Sequence, residues 1–373
     1  MTKRITRRDL LKSSGVLGAA LLTNRFLGFG QEGASGALCK IGEDKLETYS
    51  KKVRSGGVPP DGIPPIGNPK YVSAEEASSA MGSNLSDETV VFGVDYGDTT
   101  KAYPQFVLVW HEIVNEEIDG QKATISYCPL TGSAVGYKGD IGKNSTTFGT
   151  SGRLLNSNLV MYDRKSGTKS YWPQILGRSV RGPNFGDRLD FFPVIWTTWG
   201  RWKAKHPETK VLTTDTGYIR AYGSDPYGSY QKSNTYYQQG SPMFGVMAKS
   251  DRFQPKKVVV GIKVKDCSLA VPKDEFRSTG LVNAELGGEP IVIVYEEALD
   301  TVRAFTRKVE GTARKFSRKG SELVSQPDGT TWSVDGNKIE GPINEEKLTP
   351  VPFFDVMWFA WYSFYPDTRV LEV

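Results

Sequence analysis

The feature that most constrains the fold of this chain is a weak internal repeat. Residues 98–104 (DTTKAYP) match 266–272 (DCSLAVP), and 114–120 (VNEEIDG) match 282–288 (VNAELGG). Tyr127 falls on Tyr295, Phe148 on Phe316 and Gly152 on Gly320, all at an offset of 168 residues. The offset then shortens to 159, which places Gly182-Pro183 on Gly341-Pro342 and Trp199 and Trp202 on Trp358 and Trp361. Residues 206–212 (HPETKVL) close the series on 365–371 (YPDTRVL). Ordered matches at nearly fixed spacing imply one supersecondary unit written twice. The expected architecture is α+β and β-rich, with two tandem related modules (an internal duplication) and short helices.

Local patterns set the boundaries. A twin-arginine signal and leader is expected over 1–37, a Pro/Gly-rich lead-in over 38–85 and a first module over 86–215. A connecting insert then spans 216–255, and a second, degenerate module runs over 256–373. Residues 90–94 read as a strand, and 114–118 with 123–127 as a hairpin whose Asp119-Gly120 pair supplies the positive-φ turn. Residues 196–205 read as a short helix carrying Trp199, Trp202 and His206 on one face. The Tyr/Ser/Gln-rich stretch 218–244 is expected to join the modules on the surface.

The first residues speak to destination. Thr6-Arg7-Arg8-Asp9-Leu10-Leu11-Lys12 precedes a short apolar stretch, 13–22, the order of a twin-arginine signal. The export machinery is the partner this implies, and the destination is extracytoplasmic, the periplasm or cell exterior. The apolar stretch is about half the ~20 residues a spanning helix needs, so no stable membrane span is expected after export. Leu38 before Cys39 does not fit a lipoprotein anchor. The pathway carries folded proteins, often with an inserted cofactor, which points toward a bound metal. In an oxidising compartment exposed thiols pair or bind something, and three cysteines cannot all pair within one chain.

Scarce residues bound the chemistry. The 373 residues include two histidines and three cysteines, too few for a three-histidine zinc site or a four-cysteine cluster. The Walker A loop and the Gly-x-Ser-x-Gly elbow are absent. The net charge of +5 is weak for this length and interspersed, so no nucleic-acid partner is expected.

Two segments, 110–115 (WHEIVN) and 127–132 (YCPLTG), flank the same hairpin. A hairpin brings its outer ends together, which sets His111 and Cys128 within plausible side-chain reach. Imidazole and thiolate suit copper, iron or zinc as first ligands; alternatively, histidine activates a nucleophilic thiol. Glu112 is placed as a base or an extra ligand. Asn156 and Tyr162, in a polar glycine-containing stretch, are placed in the pocket lining. In the repeat, Cys128 falls on Glu296 and His111 on about Thr279, so this chemistry belongs to the first module alone. His206 falls on Tyr365 and is expected to be a packing residue with a satisfied ring nitrogen.

At these residues the sequence resembles the bacterial and archaeal family catalogued as domain of unknown function 3179. The resemblance rests on 110–115, 127–134, 148–164, Thr197-Thr198-Trp199, His206-Pro207 and the lead-in DGIPPIGNPKYVS over 61–73. It implies an exported protein and carries no established reaction. Many relatives have a second cysteine three residues after the first, where this chain has Thr131, which argues against a Cys-x-x-Cys couple. The leading expectation is a metal-dependent, redox-type exported protein. The alternatives are a non-catalytic module binding polysaccharide or cell-wall material, and a metal-free Cys–His thiol hydrolase or transferase.

Overall fold

The computed structural model describes residues 39, 41–141, 144–165 and 169–373; the segment expected to be a twin-arginine signal and leader, 1–37, lies outside them. Each half of the chain forms three small sheets and a two-stranded ribbon in the same order. In the first half, Val90–Tyr96 pairs on one side with Ile195–Thr198 and on the other with Thr99–Pro104. Lys210–Leu212 runs parallel to Thr99–Pro104. In the second half, Phe353–Met357, Val258–Val264, Cys267–Pro272 and Arg369–Val370 follow the same plan, again with a parallel last strand. The pair Gly93↔Ala102 recurs as Gly261↔Ala270, and Val211↔Ala102 as Val370↔Ala270.

The central sheets are the hairpin Ile113–Ile118/Gln121–Cys128 with Ser133–Lys138, and Leu281–Leu286/Glu289–Glu296 with Thr301–Thr306. Asp119 and Gly120 close the first hairpin at φ 49° and 74°, as their sequence requires. Side-chain amides tie each hairpin to the next sheet in the same way. Asn115 donates to the Phe148 carbonyl and accepts its N–H, both at 2.8 Å. Asn283 does the same with Phe316 at 2.7 and 2.8 Å.

The tryptophans explain two glycines. The helix Trp199–Lys205 lays Trp202 across Gly93, and the helix Trp358–Phe364 lays Trp361 across Gly261. A Cβ at either glycine would lie 2.1 or 2.2 Å from the indole ring, so no other residue fits without displacing it. Each indole N–H donates to a threonine seven residues on, Thr209 and Thr368.

The halves share their core. Buried residues from both, among them Phe92, Tyr127, Ile262 and Leu299, pack in one cluster, and Cys128, Trp172, Trp358 and Trp361 in another. Contacts cross in both directions. The Thr131 carbonyl accepts the Met357 N–H at 3.0 Å, while the Thr197 hydroxyl donates to the Leu299 carbonyl at 2.6 Å. A Cys39–Cys267 disulfide spans 228 residues and ties the lead-in to the second half. No helix among the described residues is long and apolar enough to cross a membrane.

Two expectations need correction. The predicted helix over 196–205 begins only at Trp199, because Ile195–Thr198 pairs as a strand with Val90–Gly93, where β-branched and aromatic residues fit the pleat. The 218–244 segment is not simply a surface connection. It folds back on the first half, and Tyr237 is buried.

Candidate functional site

The Ile113–Ser126 pair is the last of the hairpin. Beyond it the Glu112 carbonyl still accepts the Tyr127 N–H at 2.7 Å, so Glu112 stands one residue across from Cys128. Glu112 has φ 58°, a left-handed conformation that costs a side chain about 1 kcal/mol or more. Gly280 holds the matching place in the second half, at φ 70° and with its carbonyl accepting the Tyr295 N–H at 2.8 Å. The turn therefore suits glycine, and the first half carries a glutamate there.

That glutamate is 6 % exposed, and its carboxyl makes no hydrogen bond to any described residue. Burial raises its pKa to about 8. Cys128 is the free cysteine among the described residues and is fully buried. Its sulfur accepts the Leu159 N–H at 3.3 Å and stands 3.9 Å from the Ser157 carbonyl. Burial, and next the negative charge of Glu112, push the thiol up to about 11; donors from Thr131 and Leu159 act the other way.

Thr131 is held for this task by a buried polar network. Asn158 donates to its hydroxyl oxygen at 3.1 Å, and Ser133 lies 2.9 Å away. Ser133 spends its own proton on the Gln174 side-chain carbonyl at 2.8 Å. The Thr131 proton is therefore available to Ser133 or to the sulfur, and a thiolate would draw it.

The 218–244 segment roofs the site with aromatic side chains. Tyr236 donates to the Leu130 carbonyl at 2.8 Å. Tyr227 packs against the cluster that contains Cys128, and its hydroxyl has no hydrogen-bond partner among the described residues. Burial first, then the charges of Glu112 and Cys128, raise its pKa. Beside it Tyr230 and Tyr237 stack at 3.8 Å, and both hydroxyls reach Tyr127.

His111 is placed differently from the sequence expectation. Its Nδ1 donates to the Pro64 carbonyl at 2.7 Å, and its Nε2 accepts from the Tyr222 hydroxyl at 2.7 Å. Tyr222 is in turn 2.6 Å from the Thr216 hydroxyl. Burial lowers the His111 pKa, consistent with a neutral ring accepting at Nε2. None of these partners touches Cys128. The backbone directs the ring of residue 111 and the carboxyl of residue 112 to different surroundings.

Asn156 and Tyr162 also hold structure together. Asn156, at φ 53° in the turn before Asn158–Asp163, donates to the Ser363 carbonyl at 3.1 Å and accepts the Met247 N–H at 2.9 Å. It abuts the site through Ser157. Tyr162 donates to Asp61 at 2.5 Å, and no contact joins it to Cys128. His206 packs on Trp202 at 4.2 Å between ring centroids, but its Nε2 is buried without a partner, so the expected satisfied nitrogen is not found. Among the described residues no group of three His, Cys, Asp or Glu side chains gathers as metal ligands.

Thr131, Leu159 and Tyr227 were not singled out from sequence as site residues. The one available signal was Gly280 in the place of Glu112, which marks a positive-φ position. No curated protein and no solved structure matches the chain. The family model described as a protein of unknown function (DUF3179) matches residues 60–368, most of the chain, including the hairpin, the Cys128 turn and both tryptophan helices. The chain belongs to the DUF3179 family.

Proposed function

We propose that this is an exported, metal-dependent, redox-type protein whose centre is Cys128 and Glu112. The observation that carries the reading is Glu112 itself, a 6 % exposed side chain whose carboxyl makes no hydrogen bond to a described residue, in a conformation suited to glycine, beside a buried thiol. A carboxyl so little exposed and without a hydrogen bond is costly to ionise. Burial raises both pKa values and the carboxyl raises that of the thiol further; the two become jointly ionisable when a cation supplies the compensating charge. Thiolate and carboxylate together accept copper, iron or zinc. The Leu159 N–H and the Thr131 hydroxyl then orient the sulfur, and the Tyr227 hydroxyl offers an additional oxygen donor. In this reading His111 is a brace that holds the turn preceding Glu112.

Export is supported by the Thr6–Lys12 signal pattern in the sequence and by the Cys39–Cys267 disulfide, a bond favoured in oxidising compartments. We read the two halves as copies of one unit, of which only the first carries the centre: Glu296, in the place of Cys128, is bound by Arg303 at 2.5 Å and by Lys205.

Cobalt(II) titration of the whole chain tests the centre. A thiolate-to-cobalt charge-transfer band is expected, lost in Cys128→Ser, weakened in Glu112→Gln and kept in His111→Ala. No band in a folded chain would defeat the proposal. Fast alkylation of Cys128 in the metal-free native chain at neutral pH would instead favour the thiol hydrolase or transferase reading.

A further inference from the structure

Where the halves meet, a cleft of about 430 Å³ opens, within the roughly 300–1,000 Å³ range of small-molecule sites. Matched positions from both halves line it: Val90 with Val258, Gly132 with Asp300, and Trp196 with Asp355. The side chains at these positions differ in kind. The first half, with the 218–244 segment, contributes an aromatic wall in which Trp196 and Tyr230 meet edge to face at 5.0 Å. The second half contributes fixed ionic groups. Lys273 pairs with Asp355 at 2.7 Å, and Arg277 with Asp300 at 2.9 Å.

A flat apolar wall facing fixed donors and acceptors suits a pyranose ring. Its C–H face lies on the aromatic side chains, while its hydroxyls bond to the opposite wall. Charge narrows the class. Five basic side chains line the cleft against three acidic ones. Two of the basic ones have only backbone carbonyls as polar partners. Arg201 donates to the Glu297 and Ala298 carbonyls at 2.8 and 3.1 Å. Lys256, 7 % exposed, donates to the Gln239 carbonyl at 2.6 Å and to that of Tyr236. Neither meets a carboxylate among the described residues, and a cation so placed favours an anion nearby.

We propose that this cleft binds an acidic saccharide, a uronate-bearing oligosaccharide stacked on Trp196 with its carboxylates toward Arg201 and Lys256. The site adjoins the Cys128 centre through Tyr230 and Gly132 and does not depend on a metal. Calorimetric titration of the metal-free whole chain with oligogalacturonate tests it, beside a neutral cello-oligosaccharide of equal length, benzoate and inorganic phosphate. Oligogalacturonate should bind, with the neutral sugar and the two simple anions at least about tenfold weaker. Arg201→Gln, an exposed position outside the core, should weaken binding about tenfold, and Trp196→Leu more. No binding of oligogalacturonate to the folded chain would overturn the proposal. So would binding that neither substitution alters, or equal binding of the neutral sugar or of the simple anions.

Discussion

Glu112 and Gly280 occupy the same turn in the two halves, at φ 58° and 70°, each carbonyl accepting the N–H of the tyrosine across the hairpin. One position keeps the residue the backbone favours, and the other carries a buried acid. Glu112→Gly should therefore stabilise the chain. Relief of backbone strain and removal of an unpaired carboxyl outweigh the extra unfolded-state entropy of glycine by about 1–3 kcal/mol. Denaturant unfolding at pH 8 measures the gain, and a loss of stability would show that the carboxyl is held by favourable contacts.

The same carboxyl sets a pH dependence. Unfolded, Glu112 ionises near the usual value of about 4.3; folded, at about 8. Between these values the folded chain keeps a proton that the unfolded chain has lost, so this group's contribution to stability falls as pH rises and levels off above pH 8. Glu112→Gln removes the term. The variant should gain on the parent progressively from pH 5 to pH 8, by about 2–4 kcal/mol at the upper end. Parallel pH profiles would refute the burial argument.

His111→Ala breaks hydrogen bonds to the Pro64 carbonyl and the Tyr222 hydroxyl and should cost about 2–3 kcal/mol. Metal content should stay that of the parent, because the ring's partners are separate from those of Cys128. Loss of metal from a folded His111→Ala chain would return the histidine to the ligand set.

Gly93→Ala and Gly261→Ala should each destabilise by about 1–3 kcal/mol or more, since both Cβ atoms enter an indole ring. Comparable losses are expected because the two sites share their geometry. A neutral outcome at either would show that the tryptophan above it moves freely.

The β-rich class and the first hairpin could be read from the chain because alternation and turn residues act locally. The Asp119-Gly120 turn and the spacing that brings Trp202 and Trp361 onto Gly93 and Gly261 are written in short-range pattern. The site was legible only in part. The sequence pointed to the turn holding Glu112 and to Cys128, but residues 111 and 112 diverge through one positive φ, which no periodicity signals. The Cys39–Cys267 bond joins residues 228 apart, and the roof over Cys128 comes from a segment without helix or strand. Both depend on tertiary packing, and so does the direction of the His111 ring.

The most direct test of the Cys128–Glu112 centre is elemental analysis of the protein produced from its full sequence, beside Cys128→Ser and Glu112→Gln chains verified as folded. Near-stoichiometric copper, iron or zinc in the parent, lost in Cys128→Ser and reduced in Glu112→Gln, is the expected result. Metal-free parent protein, or metal retained in full by both variants, would contradict it.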